Sequence, residues 1–575
     1  MARDLAVSIG QYSDKGRKEA NQDFYGALIP EQPALGIKGI AIALADGIST
    51  SAVSRIAAES AVKGFLTDYY CTSDSWSVKT SVQRVIAATN SWLHAQTRRS
   101  EHAYDKDKGY ICTLSVMVLK SRTAHLFHIG DCRIYRVAGE ALEQLTTDHR
   151  LILSSEQSFL GRALGVNPHV EIDYRVMPLE AGDVFVLATD GVYEHVDARF
   201  VTSTIHGHSR DLDMAARTIT EEAFRRGSGD NLTVQIVRVE SVPAGEAEDF
   251  LSASLDLAPP PLLQARAELD GYRIVRTLHA SHRSHIYLAE TPGTGALVAI
   301  KIPSIDLRED AAYLRRFKME EWIARRINSA HVLKAASHHG KRSHLYLVNE
   351  FVDGQTLAQW MIDHPRPDLE TVRGIIEQIA RGLRAFHRME MVHQDLRPDN
   401  IMIDRHGTVK IIDFGSTKVT GVIEAQAPRE GEDILGTVQY TAPEYFVGES
   451  GTARSDLFSL GVIAYQMLTG HLPYGAQVAR IRTRSQQRSL RYTSAQHHDP
   501  GIPTWIDGAL KKATHPDPYK RYEALSEFEY DFRNPNRTFL QPGFVPLSER
   551  NPLLFWKALS MILGIAVLVL LSRTL

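Results

Sequence analysis

HQDLRPDNIMIDRHGTVKIIDFG (residues 393–415) decides the architecture of the second half of this chain. It sets Asp395 and Asn400 five residues apart in one polar loop, and Asp413 follows eighteen residues after Asp395 behind the apolar run VKII. Phosphoryl transfer needs positioned phosphates, neutralising metal and a base for the accepting hydroxyl, and these residue types at this spacing can supply them. Upstream, Lys301 ends the strand-like LVAIK, and Glu320 lies nineteen residues later in the helical stretch FKMEEWIARRI. Downstream stand Glu444 in GTVQYTAPE, Asp456 in SDLFSLG and Arg521 in DPYKRY. The ordered set is highly specific, whereas any one member would not be.

The first half carries a different pattern. ALADG (Asp46), HIGD (Asp131), GDVFVLATDG (Asp190) and GSGDN (Asp230) each bring an aspartate to the edge of an apolar run or a glycine turn. A buried strand followed by Asp-Gly delivers a carboxylate to the rim of a core, where glycine permits a sharp exit. Several such carboxylates repel one another unless cations neutralise them, and hard oxygen ligands select Mg2+ or Mn2+. Two ions held this way can activate water for in-line attack on phosphorus.

At 575 residues the chain is too long for one hydrophobic core. Its 43% hydrophobic content excludes wholesale disorder, and a net charge of −3 offers no basic field for nucleic acid. Three cysteines form no disulfide framework and lack metal-ligand spacing. No apolar h-region opens the chain, so no secretory signal is expected. The expected division is 1–240, a linker at 241–268 marked by Pro259–Pro261, a second unit at 269–533, and a connector at 534–552. TVRGIIEQIARGLRAFHRM is expected to be a helix of the second unit. Residues 553–571 read LLFWKALSMILGIAVLVLL with Lys557 as their one charge. Nineteen helical residues reach ~28 Å, close to the ~30 Å hydrocarbon core, so a C-terminal transmembrane helix is expected. The alternative is an amphipathic or buried terminal helix. Trp556, Lys557 and Arg550 on the near side agree with a cytoplasmic body.

Over about residues 1–240 the sequence resembles the PPM (type 2C) metal-dependent protein serine/threonine phosphatases, through GRKEANQD, ALADG, HIGDCRIYR, LTTDH, RALG, GDVFVLATDG and GSGDNLTV. The resemblance implies an α/β/β/α sandwich. It implies Asp46 as the carboxylate bridging two metals, with the Gly47 carbonyl assisting. Asp190 and Asp230 would complete one metal site, Asp23 would stand on the side of the other, and Asp131 with Asp190 would form a third position. Asn231 either orients the site or serves a structural turn. Lys18 stands where the family usually has a phosphate-gripping arginine, with Arg17 beside it, and lysine loses the bidentate geometry. Gln22 replaces a frequent glutamate, and the flap between Asp148 and Arg162 is short.

Over about residues 269–533 the sequence resembles the Hanks-type serine/threonine protein kinases, with a two-lobed fold. Lys301 would hold the ATP phosphates and pair with Glu320. Asp395 would be the catalytic base, Asn400 and Asp413 the magnesium ligands, and Glu444 with Arg521 a buried pair. Three positions depart from the pattern. TLHASHRSHIYLA lacks every glycine of the expected phosphate loop, so His282, Arg283 and His285 either contact phosphate through side chains or are solvated loop residues. Arg397 replaces a lysine and keeps a positive charge near the transferred phosphate. Gln394 replaces an arginine that normally clamps a phosphate on the activation segment.

The expectation is therefore a multidomain α+β chain with two opposed activities. One transfers phosphate from ATP to protein Ser/Thr with one or two ions; the other hydrolyses phospho-Ser/Thr with two or three Mg2+ or Mn2+ ions. The alternative is an active phosphatase regulated by a nucleotide-binding pseudokinase module. Protein substrates, ATP and a membrane are the expected partners, and nucleic acid is not. The expected location is the inner (plasma) membrane, single-pass, with the catalytic domains cytoplasmic.

Overall fold

The structure is a computed structural model. It describes residues 4–101, 103, 105, 108–154, 157–243, 257–281, 284–307, 310–336, 342–424, 439–540 and 555–564.

IAIALA (Ile40–Ala45) explains the first unit. It is a strand buried at every position, and alternate side chains face opposite ways. Ala41, Ala43 and Ala45 pack under the helices Ser54–Cys71 and Val78–Arg99. Ile40, Ile42 and Leu44 meet Phe185, Leu187, Val237 and Val239 of a second sheet. Small residues let the helices approach, and large ones fill the space between the sheets. The strand lies in a five-stranded antiparallel sheet in the order 173–178, 123–129, 114–120, 40–45, 24–28. The facing sheet runs 6–14, 232–241, 184–188, 133–138, 141–144. Helices Ala198–Gly207 and Leu212–Arg225 cover its outer side through Val201, Ile205, Ala215 and Ile219. The expected α/β/β/α sandwich is observed.

The second unit has two lobes. A five-stranded antiparallel sheet (268–269, 272–280, 284–290, 297–303, 347–350) carries the helix Ala311–Arg326. The larger lobe is helical and centres on Leu369–Arg388. There Val372, Ile375, Ile376, Ile379, Leu383 and Phe386 form one buried stripe, and Asp368 caps the first turn by accepting from Thr371 N. Residues 257–267, read as the end of the linker, lie against the small lobe: Leu263 and Ala267 join its core, and Leu345 N donates to Ala258 O.

A salt bridge locks the large lobe. Arg521 donates to both oxygens of Glu444 at 2.8 and 2.7 Å, and both residues are buried. Ser455 Oγ also donates to Glu444, and Arg521 Nε donates to His515 O, so the buried charges are hydrogen-bonded as well as paired.

The expected transmembrane helix is not observed as such. Residues 555–564 are helical, with Trp556, Met561, Ile562 and Leu563 exposed. Among the described residues no helix is long and apolar enough to cross a membrane, and 553–554 and 565–571 lie outside them.

Removing Arg521 alone leaves Glu444 charged and unpaired in the core. Arg521→Ala is expected to cost about 3–5 kcal/mol in urea unfolding of the second unit. A loss below about 1 kcal/mol would show that water reaches Glu444.

Candidate active sites

The aspartates of the first unit gather where the two sheets end. Asp23 is buried; Thr189 and Thr233 donate to its Oδ2 at 3.0 and 2.6 Å, while its Oδ1 has no partner among the described residues. Asp46 stands against it, held through its backbone by Thr113: Asp46 N donates to Thr113 Oγ1, and Thr113 N donates to Asp46 O. Gly47 follows because nothing larger fits. A Cβ there would lie 2.9 Å from backbone atoms of Ser54 and 3.0 Å from Gln22 O.

Burial pushes the Asp23 carboxyl up to about 6 despite the threonine hydrogen bonds. Burial, then the charges of Asp23, Asp190 and Asp131, pushes Asp46 well above the carboxylate range. Asp190 rises to about 7 through burial and its neighbours Asp131 and Asp230, against the pull of Arg150. An unpartnered buried oxygen beside mutually repelling carboxylates is a donor set that fits a divalent cation. As the side chains stand, no three His, Cys, Asp or Glu among the described residues surround one point.

Arginine and lysine occupy part of this acidic surface. Arg150, the first residue of the short hairpin Arg150–Ser154/Gln157–Leu160, donates to Asp131, Asp190 and Glu194, each at 2.6 Å. The place expected for a third metal is thus bridged by the chain's own guanidinium. Lys18 pairs with Asp230 at 3.3 Å and donates to Ser49 Oγ, while Arg17 donates to Gly227 O. Asn231 ties the loop before Asp23 in place: it accepts from Gln22 N and donates to Lys15 O and Ala20 O. These bonds hold the loop that leads into Asp23.

In the second unit Lys301 donates to both oxygens of Glu320, at 2.9 and 2.7 Å, and lies 3.6 Å from Asp413. Burial opposes the lysine charge, but Asp413 and Glu320 outweigh it and the lysine pKa rises. Burial lifts Glu320 to about 7 against the attraction of Lys301, whereas Asp413 is lowered because Lys301 overcomes its burial. Asn400 Nδ2 donates to Asp395 O and Oδ2 at 2.9 and 3.1 Å, which sets the carboxylate of the expected base. Gly415 N donates to Asp413 Oδ1. Asp456 is buried and accepts from His393 N, Gln394 N and His387 Nε2, fixing the backbone of this loop. Gln394 holds a left-handed backbone, φ +67°, at that clamp. Arg397 is paired with Asp399 at 2.8 Å.

His282 and Arg283 lie outside the described residues. His285 sits in the strand Ser284–Glu290, its ring stacked on Tyr287. Sequence reasoning did not find Arg150, Thr189 or Thr233. Their partners lie 19 to 210 residues away, and no local spacing announces them.

Two family models match the chain: protein phosphatase 2C over residues 11–226 and protein kinase domain over residues 272–532. The chain joins a phosphatase 2C domain to a protein kinase domain. It is 29% identical to serine/threonine-protein kinase PrkC of Bacillus subtilis over 266 residues, 46% of this chain and 40% of that one. The kinase domain of Mycobacterium tuberculosis PknI aligns at 24% identity, covering 47% of this chain and 98% of that one, with TM-score 0.37. The Mycobacterium tuberculosis serine/threonine phosphatase PstP/Ppp aligns at 22%, covering 41% and 99%, with TM-score 0.35. The chain spans 40%, 41% and 53% of the length of three curated bacterial kinases that it matches.

The raised carboxylates set a pH dependence. The folded chain keeps protons that the unfolded chain releases near pH 4, so without metal, stability falls as pH rises toward the folded values of about 6 for Asp23 and about 7 for Asp190. At pH 8 in chelator, Asp46→Asn is expected to raise the melting temperature by about 2–4 °C. Mn2+ should raise that of the parent and leave the variant unmoved. A variant that melts below the parent in chelator would contradict the repulsion.

Proposed function

We propose that this chain is a bifunctional signalling enzyme. Its kinase domain phosphorylates protein Ser/Thr with ATP, and its phosphatase domain hydrolyses protein phospho-Ser/Thr with Mg2+ or Mn2+. The observation that carries the reading is that one chain assembles both constellations: the buried Lys301–Glu320 bridge beside Asp413, and the paired Asp23 and Asp46 carboxylates.

In the kinase domain, Glu320 aims Lys301 at the ATP phosphates. Asn400 orients Asp395 to accept the proton of the incoming hydroxyl. Asn400 and Asp413 would hold one or two Mg2+. Arg397, steadied by Asp399, keeps a cation two residues from Asp395. In the phosphatase domain, Asp23, Asp46, Asp190 and Asp230, with the Gly47 carbonyl, would hold two divalent ions. Bound ions would supply Lewis acidity toward water and the phosphoryl group. Thr189 and Thr233 keep Asp23 in place, and Lys18 offers its charge to the substrate phosphate once released from Asp230. Asp131 and Asp190 take a third ion only when Arg150 withdraws.

The assembled lysine–glutamate bridge favours an active kinase over the pseudokinase reading that the glycine-free loop suggests. In labelled-ATP assays on protein substrate, Asp46→Asn is expected to retain transfer and Asp46→Asn/Asp395→Asn to lose it by at least about 100-fold. Asp395→Asn alone should still release phosphate from phosphopeptide in Mn2+. An Asp46→Asn protein that binds ATP without transferring phosphate would leave the pseudokinase reading standing.

We also propose that residues 553–571 anchor the protein in the inner (plasma) membrane with both domains cytoplasmic. Their length, their one charge and the exposed Trp556, Met561, Ile562 and Leu563 support this. The full chain is expected to stay with membranes through alkaline carbonate extraction, and a chain ending at residue 552 to be released. Release of both would remove the anchor.

A further inference from the structure

The two domains meet through a built surface. On the phosphatase side it comprises the loop after Ser54–Cys71, the first turn of Val78–Arg99, and Lys120. On the kinase side it comprises the end of Leu369–Arg388 and the short helix Thr420–Ile423, which follows Asp413 by seven residues and begins the activation segment leading to Glu444.

Three features point to a specific fit. First, Lys120 is only 1% exposed, and its ammonium donates to Gly421 O at 2.7 Å and pairs with Glu424 at 3.4 Å. A buried cation needs such partners, and here the other domain provides them. Second, two kinase carboxylates cap the phosphatase helix that starts at Val78. Glu390 accepts from Ser77 N and Thr80 Oγ1, each at 2.6 Å, and Glu424 accepts from Val78 N at 2.9 Å. They meet the positive end of a 22-residue helix. Third, Gly421 is pressed against the phosphatase backbone. Its N donates to Ser75 O at 2.9 Å, and an added Cβ would lie 2.5 Å from Trp76 O, 2.8 Å from Ser75 O and 2.9 Å from Asp74 O. The three nearest obstructions all belong to the other domain, so only docking requires glycine there.

Further bonds extend the face. Trp76 Nε1 donates to Arg388 O at 2.9 Å, and Arg326, at the end of the helix that carries Glu320, pairs with Asp74 at 3.0 Å. Lys38 Nζ donates to Ser73 O and Thr72 Oγ1, holding the docking loop in shape from behind. The surface therefore touches the helix that positions Glu320, the helix that leads into the Asp395 loop, and the first turn of the activation segment. All of this coexists with an intact Lys301–Glu320 bridge.

We propose that the phosphatase domain is a built-in docking partner of the kinase domain, gripping Thr420–Glu424 and so anchoring the start of the activation segment in the arrangement that supports transfer. Gln394, which is uncharged, offers no cation for a phosphate clamp at that place, and the phosphatase face supplies the anchor instead. The effect on catalysis rests on the kinase reading above; the docking does not.

The test uses the full chain with Gly421→Val on the kinase side and Lys120→Glu on the phosphatase side. Amide hydrogen exchange of segments 72–80 and 418–424 is expected to quicken about tenfold in each variant, on both faces. Transfer from labelled ATP should fall about fivefold in each variant. Unchanged exchange, or quickening only on the mutated face, would overturn docking. Faster exchange on both faces with undiminished transfer would overturn the anchoring role. A parent chain that transfers no phosphate defeats the kinase reading, while the exchange data still decide docking.

Discussion

The carboxylates of Asp23 and Asp46 lie side by side at the rim of a core, Asp23 buried and Asp46 partly exposed, and ionising both costs stability unless a cation neutralises them. Much of the first domain follows from that constraint. Ile40–Ala45 must be buried on both faces to deliver Asp46 there, and Gly47 must follow because backbone closes in immediately. Thr189 and Thr233 steady one oxygen of Asp23, and among the described residues the other has no hydrogen-bond partner. Nearby, Arg150 gathers Asp131, Asp190 and Glu194, so part of the neutralising charge is built into the chain.

The kinase domain solves the same problem with its own side chains. Lys301 meets Glu320 and Asp413, and Arg521 meets Glu444; each buried charge is matched by hydrogen-bonded partners, the condition under which burial of ions is tolerable. These pairs do different work. Lys301–Glu320 joins strand to helix across the small lobe. Glu444–Arg521 ties the end of the activation segment to the large lobe. The Lys120–Glu424 pair extends the pattern across the boundary between domains. The two domains thus share more than a tether, because the phosphatase surface contacts the helix that carries Glu320, the end of Leu369–Arg388 and the helix Thr420–Ile423.

How much was legible depended on distance along the chain. The helix Leu369–Arg388, the strand before Asp46 and the order of Lys301, Asp395, Asn400 and Asp413 could be read because periodicity and short spacing are local properties. The Glu444–Arg521 pair was legible only through the family resemblance, since 77 residues separate its members. Arg150 was invisible as a partner of Asp131 and Asp190: nothing around LTTDHR shows which way a hairpin will turn it. Lys18 was read as facing substrate phosphate, yet it rests on Asp230. The C-terminal segment was read from composition, and its helix is described only over residues 555–564.

By itself the sequence determined which two domains the chain holds, because motif spacing and strand alternation are written in consecutive residues. Only the tertiary structure decided which charges meet. It brought Arg150 to Asp131 and Asp190, brought Thr189 and Thr233 to one oxygen of Asp23, and seated Gly421 against the backbone of Ser75 and Trp76. The reason is physical. A charge or a missing side chain has meaning only beside its partner, and here the partners are brought together by packing across 40, 210 and more than 300 residues.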